Sequence, residues 1–223
     1  DAYIYGYPLI TMEMTRRVIT NVPQVEGTRG PMGQLIKLRQ YPDASFRDVT
    51  APNADTLYTT AFFDVGKEPW VLSIPDMKGR YALLPMLDGW TNVFQVPGKR
   101  TTGTGAQTYA ITGPGWSGTL PPGVKEYKSP TSIVWLLGRI YCTGTPEDYA
   151  EVHKLQDEFK LVPQPGDTTR RVAHAYYPPF KRSDRLLRFN FETKDPVAGA
   201  TSALANRGPG FSLVIPRSRQ KAF

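Results

Sequence analysis

Short apolar runs alternate with turn residues along most of the chain after Ser45. The runs are rich in Thr, Tyr, Phe, Val and Trp, and pairs such as Pro75-Asp76 and Pro97-Gly98 separate them. Strands this short, with turns this frequent, are typical of a β-sandwich or a β-barrel. Residues 133–137 are apolar on both faces of a strand, which predicts a central strand covered on both sides. The predicted strands are Thr56–Asp64, Trp70–Ile74, Arg80–Leu87, Asn92–Val96, Thr108–Thr112 and Ser132–Cys142.

Residues 1–20 have apolar positions at roughly helical spacing. Gly6 and Pro8 weaken the first turns, because glycine is conformationally free and proline lacks an N–H group. Proline is tolerated in the opening turn of a helix, so we expect the firm part of this helix to begin after Pro8.

A second helix is marked more clearly. Thr145 can cap it, Pro146 fits the first helical position, and two acidic residues follow in the first turn. We expect the helix to end near Leu161, before Pro163, and to place His153 on its solvated side. The whole pattern predicts a mainly β protein with helical additions, flanked by an N-terminal helix and a helix near 146–161.

The charge is distributed unevenly. The net charge of +7 would by itself favour a nucleic-acid or membrane partner. However, residues 1–165 hold 16 basic and 16 acidic residues, whereas residues 166–223 hold 11 basic and 4 acidic ones. We therefore divide the chain into a neutral domain, 1–165, and a basic segment, 166–223.

Several simple features limit the protein class. A single cysteine, Cys142, allows no disulfide within the chain, and we expect it to be a buried thiol. The longest apolar run is far shorter than the roughly 20 residues of a membrane-spanning helix. Because the chain begins with Asp1, we expect it to be a fragment or a processed product.

The densest polar group lies just before the first long predicted strand. Asn53 and Asp55 can close turns through their side chains and lead the chain into that strand near Tyr58. The same side chains can also bind a ligand or a metal ion. Both interpretations stay open on the sequence.

Arginines beside apolar strand residues are further candidates. Arg80, Arg100 and Arg139 can each pair with a carboxylate or bind an anion. Residues 98–105 combine cations, hydroxyls and glycines, which suits an anion or a simple loop between strands. The candidate ligand-binding residues are Asn53, Asp55, Tyr58, Arg80, Arg100, Thr101, Thr102, Trp116 and Arg139.

Metal and nucleophile motifs are weak. The sequence contains no His-Glu-x-x-His, Cys-x-x-Cys or Gly-x-Ser-x-Gly pattern. A divalent cation held by Asp55, Asp64 or Asp88 is the one cofactor that the composition leaves open.

Ordered blocks over residues 1–165 resemble a known family, the domain of unknown function family 1254. The resemblance implies a jelly-roll-like β-sandwich, followed in the family by a second β-rich domain, and a bacterial protein of the periplasm or the cell exterior, with the cytoplasm as the alternative. It transfers no catalytic residue. The blocks are residues 2–9, 52–58, 68–76, 80–81, 100–103, 113–116, and 129–131 with Gly138-Arg139.

The family pattern stops after Pro163, where the charge changes. We interpret residues 166–223 as a basic tail outside the family, frameshifted or poorly ordered, with one strand-like run at 186–191 and one apolar run at 211–215. The alternatives are a divergent segment that packs on the sandwich and a tail that binds an acidic partner. Without its second domain, we expect the chain to expose an apolar face and to self-associate.

Three functions follow from these observations. The first is a binding or assembly module that is incomplete without its second domain. The second is a metal-assisted, phosphatase-like hydrolase of small anionic molecules, with Asp55 or Asp64 on the cation and Arg100 or Arg139 on the anion. Nucleic-acid binding ranks last, because the basic tail has only one cluster of stacking aromatics.

Overall fold

The computed structural model describes residues 1–47, 49, 51–164, 188–189 and 213–214. Over these residues the protein is mainly β with two helices, as the sequence predicts. The helices are α1 (Ala2–Thr20) and α2 (Pro146–Glu158). The strands are β1 (Ile36–Lys37), β2 (Thr56–Asp64), β3 (Trp70–Ile74), β4 (Ala82–Leu83), β5 (Met86–Leu87), β6 (Val93–Gln95), β7 (Gln107–Thr112), β8 (Lys125–Lys128), β9 (Ile133–Tyr141), β10 (Lys160–Pro163), β11 (Arg188–Phe189) and β12 (Leu213–Val214).

The larger sheet has the order β1-β2-β9-β5-β6, and β4 also pairs with β9. Its centre is the antiparallel pair of β2 and β9, which runs in one register from Thr56 opposite Tyr141 to Asp64 opposite Ile133. Side chains alternate between two faces, so Leu57 and Ile140 point to the core. The opposite face carries the even-numbered residues of β2 and the odd-numbered residues of β9.

The smaller sheet has the order β10-β3-β7-β8. All its pairs are antiparallel except β7 with β8, which are parallel. Strand β3 buries alternate side chains, Trp70, Leu72 and Ile74, as a half-buried strand should. The two sheets and α2 contribute to one apolar core, where the rings of Phe63 and Trp70 lie 5.7 Å apart.

The sequence predicts β2 and β3 best. The bounds of β2 and β3 agree with the sequence prediction, whereas the predicted strand 80–87 divides into β4 and β5. Pro85 lies between them and has no N–H to donate to a ladder. The prediction of a continuous strand there was wrong for that reason.

The helix near 146–161 is confirmed at its start and shorter at its end. The Thr145 hydroxyl accepts a hydrogen bond from the Asp148 N–H at 3.3 Å, and Pro146 is the first helical residue. The helix ends at Glu158, because the chain then joins the smaller sheet as β10. His153 is not on a fully solvated side, since its Nε2 lies 2.5 Å from the carbonyl oxygen of Arg39.

Helix α1 begins before Pro8, so the expectation of a firm helix only after that proline was wrong. An internal proline removes one backbone hydrogen bond, whereas the following turns remain intact. Those turns bury Met12 and Arg16 against the rest of the domain.

Beyond residue 164, the structure describes only β11 and β12, which pair in antiparallel orientation. Strand β11 lies in the predicted strand-like run 186–191, and β12 lies in the apolar run 211–215. The interpretation of 166–223 as a tail otherwise lies outside the described residues. No helix among the described residues is long and apolar enough to span a membrane.

Candidate functional site

Tyr58 and Arg139 face each other on the side of the larger sheet that points away from the core. They are register partners in the β2–β9 pair, and Leu83 of β4 is the partner of Arg139 on its other side. The Arg139 guanidinium carbon lies 5.1 Å from the centre of the Tyr58 ring. This stacking holds the guanidinium at the surface of the sheet without a carboxylate.

Asn53 fixes the hydroxyl of Tyr58 from one side. The Asn53 carbonyl oxygen accepts from the N–H groups of Asp55 and Thr56, at 3.4 and 3.3 Å. Its amide group therefore points onward and donates to the Tyr58 hydroxyl oxygen at 3.1 Å. A hydroxyl that accepts this bond keeps its own proton free to donate elsewhere. The sequence interpretation of a turn at Asn53 is confirmed.

Arg139 has no acceptor among the described residues. No ion pair or hydrogen bond joins its guanidinium to that part of the chain, and its Nε atom is buried without a partner. A buried N–H that lacks a partner costs free energy, and most such groups in proteins are satisfied. Arg139 and the Tyr58 hydroxyl are thus neighbouring donors that still lack acceptors.

Arg100 lies on the same face, further along the sheet. Gly98 pairs with Leu83 of β4 in a single antiparallel β-bridge, so the chain near Gly98 lies beside β4. The Arg100 guanidinium carbon lies 5.3 Å from the centre of the Tyr81 ring. Neither Tyr81 nor Leu83 is among the candidate ligand-binding residues from the sequence, although both alternate with the buried residues Ala82 and Leu84.

Arg80 is engaged differently. Its two terminal nitrogens donate to the Asp148 carboxylate at 3.1 and 2.5 Å, and one of them also donates to the Tyr141 carbonyl. The Arg80 guanidinium is the main cause that holds the pKa of Asp148 well below its usual range, and bonds from Thr143 add to it. The structure thus gives Arg80 the ion pair that was one of its two sequence interpretations.

An open groove of about 660 Å³ runs beside this ion pair. Its charged groups include Arg80 with Asp148 and a second pair, Lys154 with Glu151, at 2.6 Å. Lys78, Lys99 and Glu158 also line the groove, so an anion there would compete with three carboxylates for four cations.

The remaining polar candidates close loops. The Thr101 hydroxyl donates to the Val96 carbonyl at 2.5 Å, and the Thr102 hydroxyl accepts from the Gly98 N–H at 3.0 Å. Trp116 lies in the connection between β7 and β8, which belong to the smaller sheet. The structure does not bring these residues together with Arg139.

The three aspartates proposed for a cation lie apart. Asp64 ends β2 and accepts from the Gly66 N–H, whereas Asp55 precedes the start of the same strand. Asp88 is buried and accepts from the N–H groups of Trp90 and Asn92. Within the described part of the chain, no group of three or more His, Cys, Asp or Glu residues could hold a metal ion. A divalent cation stays a prediction.

A family model described as "Protein of unknown function (DUF1254)" matches residues 32–163, which is more than half of the chain. The chain belongs to the DUF1254 family. This membership confirms the resemblance found in the sequence. The matched residues include both Tyr58 and Arg139 of the candidate site. Among curated proteins, no sequence matches the chain.

Two solved structures are similar to the DUF1254 chain. The VPA0106 protein from Vibrio parahaemolyticus has a TM-score of 0.62 and 24% identity, over 82% of this chain and 42% of that one. An uncharacterized protein from Burkholderia cenocepacia has a TM-score of 0.37 and 8% identity, over 60% and 34% of the two chains. The first likeness supports the fold. The DUF1254 chain spans about two fifths of the length of that Vibrio protein.

Proposed function

We propose that this DUF1254 domain is a binding module that holds a small anionic ligand on the Arg139 face, the side of the larger sheet that carries Tyr58 and Arg139. One observation carries the proposal: Arg139 stacks on Tyr58 with no carboxylate or other acceptor among the described residues. An oxyanion would accept from the guanidinium and from the free hydroxyl proton of Tyr58. Both donors are half-buried, so a bound anion would be screened less than at a fully exposed charge.

Asn53 acts as a positioning residue in this scheme. Its amide donates to the Tyr58 hydroxyl oxygen and so leaves the hydroxyl proton directed away from Asn53. Its own orientation is set by the two backbone N–H groups that its carbonyl oxygen accepts. The donor pair is therefore arranged before a ligand arrives, which lowers the entropic cost of binding.

Thermal unfolding with inorganic phosphate and with acetate tests the proposal. A ligand that binds only the folded state raises Tm, and at ten times its Kd the rise is about 3 to 6 °C for a chain of this size. Arg139→Gln should remove this rise, and Tyr58→Phe should reduce it while keeping the ring. Lys67→Gln is the matched control, because Lys67 is an exposed cation in the turn at the far end of β2.

A rise in Tm that persists in Arg139→Gln would place the anion elsewhere and overturn the proposal. If Arg139→Gln and Lys67→Gln reduce the anion-induced rise in Tm equally, the rise reflects the net charge of the protein and the proposal is wrong. The Tm of each variant without ligand first shows whether the variant is folded. If Arg139→Gln is unfolded, the anion-induced rise in Tm of Tyr58→Phe is used as the test instead.

An assembly role is favoured by a separate observation on α1. Its first turns expose large apolar side chains: Tyr3 and Ile4 are each 76% exposed, and Tyr5 and Tyr7 more than half. The Tyr5 ring also lies 5.3 Å from the Trp90 ring, so the apolar surface continues onto the β5–β6 turn. We infer that the second β-rich domain expected from the family packs here. The greater length of the Vibrio protein is consistent with this inference.

Light scattering measures whether the exposed apolar side chains of α1 cause self-association or remain in contact with solvent in a monomer. The chain alone should self-associate at tens of micromolar, and Ile4→Glu with Tyr7→Glu should restore a monomer, because charges on the patch oppose burial. A wild-type chain that stays monomeric would contradict the inference. A jelly-roll arrangement of the two sheets and a location outside the cytoplasm belong to the same proposal, and the family resemblance supports both.

A further inference from the structure

The geometry points to a ligand with two anionic groups, one held by Arg139 and the other by Arg100, joined by an apolar spacer. This inference rests on the proposed function, because Arg139 provides the first anion site. It adds a second site and thereby defines the chemical class of the ligand.

Strand register places both arginines on one face. The Tyr141 N–H donates to the Tyr81 carbonyl at 2.9 Å, which sets Tyr81 next to Tyr141. The Lys99 N–H donates to the Ala82 carbonyl at 3.0 Å, and the chain then turns, because the Thr101 N–H donates to the Gly98 carbonyl at 3.0 Å. From this turn the Arg100 guanidinium reaches the Tyr81 ring. The row of Tyr141 and Tyr81 therefore adjoins the row of Tyr58, Arg139, Leu83 and Gly98.

The separation of the two cations follows from sheet geometry. Arg139 stacks on Tyr58 of β2, and Arg100 stacks on Tyr81 beside β4, with β9 between these strands. Two strand spacings of about 4.8 Å and one two-residue step of about 6.6 Å separate the Cα atoms of Tyr58 and Tyr81, on whose rings the two guanidinium groups stack, by roughly 12 Å. Charges this far apart cannot hold one small anion together, but they can hold the two ends of a longer dianion.

The surface between the two arginines includes the exposed Tyr141 ring and a lower apolar part beside it. Leu83 is half-buried there, and Gly98 beside it has no side chain. The residue at 98 has a φ of +152°, and a Cβ atom would lie 2.3 Å from the Ala82 carbonyl oxygen, so the backbone requires glycine. The spacer of the ligand can therefore lie across Leu83 without meeting a side chain at position 98.

Arg100 and Arg139 also lack competing carboxylates. Among the residues that the structure describes, neither forms an ion pair. Arg100 is exposed, so its site alone would bind an anion weakly, whereas a dianion already held by Arg139 presents its second group at high effective concentration. The expected ligand thus carries two carboxylates or phosphates about 12 Å apart on an apolar chain.

Calorimetric titration with a series of dicarboxylates tests the spacing. Extended adipate places its carboxylate carbons about 6 Å apart and extended sebacate about 11 Å apart. Sebacate should bind about tenfold more tightly than adipate and than sebacic acid monomethyl ester, which has the same length and one charge fewer. Arg100→Gln should abolish this tenfold advantage and leave binding of the monoester unchanged.

Arg139→Gln should weaken both sebacate and the monoester, and Lys67→Gln should affect neither beyond a general charge effect. If sebacate and the monoester bind equally and both depend on Arg139, the two-anion inference is wrong while the proposed function stands. If neither ligand depends on Arg139, the proposed function fails and the inference fails with it. If the advantage of sebacate survives Arg100→Gln, the second anion lies elsewhere.

Discussion

Asp148→Asn is the substitution whose effect on stability follows most directly from the contacts. The Asp148 carboxylate accepts from two Arg80 nitrogens and from the backbone N–H and hydroxyl of Thr143. The side chains of Arg80 and Asp148 are only 21% and 16% exposed. The carboxylate also lies in the first turn of α2, where the helix dipole favours a negative charge. An amide keeps the shape but loses this charge and leaves Arg80 unpaired.

We expect Asp148→Asn to lower the free energy of unfolding by about 2 to 3 kcal/mol, since charge-assisted hydrogen bonds contribute about 1.5 to 3 kcal/mol each and solvent screens part of the pair. Tm should fall by about 4 to 12 °C. A double-mutant cycle with Arg80→Gln, measured by urea unfolding, isolates the pairwise energy. If Asp148→Asn lowers the free energy of unfolding by less than about 0.5 kcal/mol, the ion pair contributes no more than a fully exposed pair, and the expected contribution is wrong.

The same carboxylate sets a pH dependence. Its pKa is lower in the folded than in the unfolded protein, where aspartate titrates near 3.9. Its contribution is therefore complete above about pH 4 and is lost as pH falls toward the folded pKa. Between pH 6 and pH 2, the wild type should lose more stability than Asp148→Asn. Parallel pH profiles for the two proteins would contradict this assignment.

Three further substitutions test the packing. Gln156→Leu should cost about 1 to 3 kcal/mol in urea unfolding, because the buried Gln156 amide donates to the Leu38 carbonyl, which would lose this partner. The Tyr58 carbonyl, which also accepts from this amide, would keep its bond from the Leu38 N–H. Gly98→Ala should cost more than about 2 kcal/mol and lower Tm accordingly, since its Cβ would meet the Ala82 carbonyl oxygen. Leu136→Ala, in the fully buried centre of β9, should cost about 2 to 5 kcal/mol. Losses below about 0.5 kcal/mol at these positions would show that the packing described here is wrong.

Local patterns fixed the elements that local chemistry controls. The bounds of β2 follow from a nine-residue run in which six residues are β-branched or aromatic, and the start of α2 follows from Thr145 and Pro146. The sequence prediction extends α2 to near Leu161, into β10, because Phe159 continues the helical spacing and Pro163 marks the stop. Only pairing with β3, a partner distant in sequence, makes this segment a strand.

In the candidate site, too, local sequence identifies single residues, whereas the pairing of distant strands sets their arrangement. Tyr58, Arg100 and Arg139 were each identifiable from their residue types and neighbours. Their relation was not, because it depends on the register of β2 against β9 and of residues 97–99 against β4. For the same reason Arg80 could not be assigned to Asp148, which approaches it from a helix that begins far along the chain.

The proposed function depends on Arg139 and the Tyr58 hydroxyl acting together as hydrogen-bond donors to one anion. The most direct measurement is a titration with inorganic phosphate followed by the Arg139 Nε–H resonance in NMR, assigned by its absence in Arg139→Gln. We expect a saturable shift of this resonance that is weaker in Tyr58→Phe and unchanged in Lys67→Gln. A resonance that stays fixed while phosphate shifts signals elsewhere on the domain would contradict it.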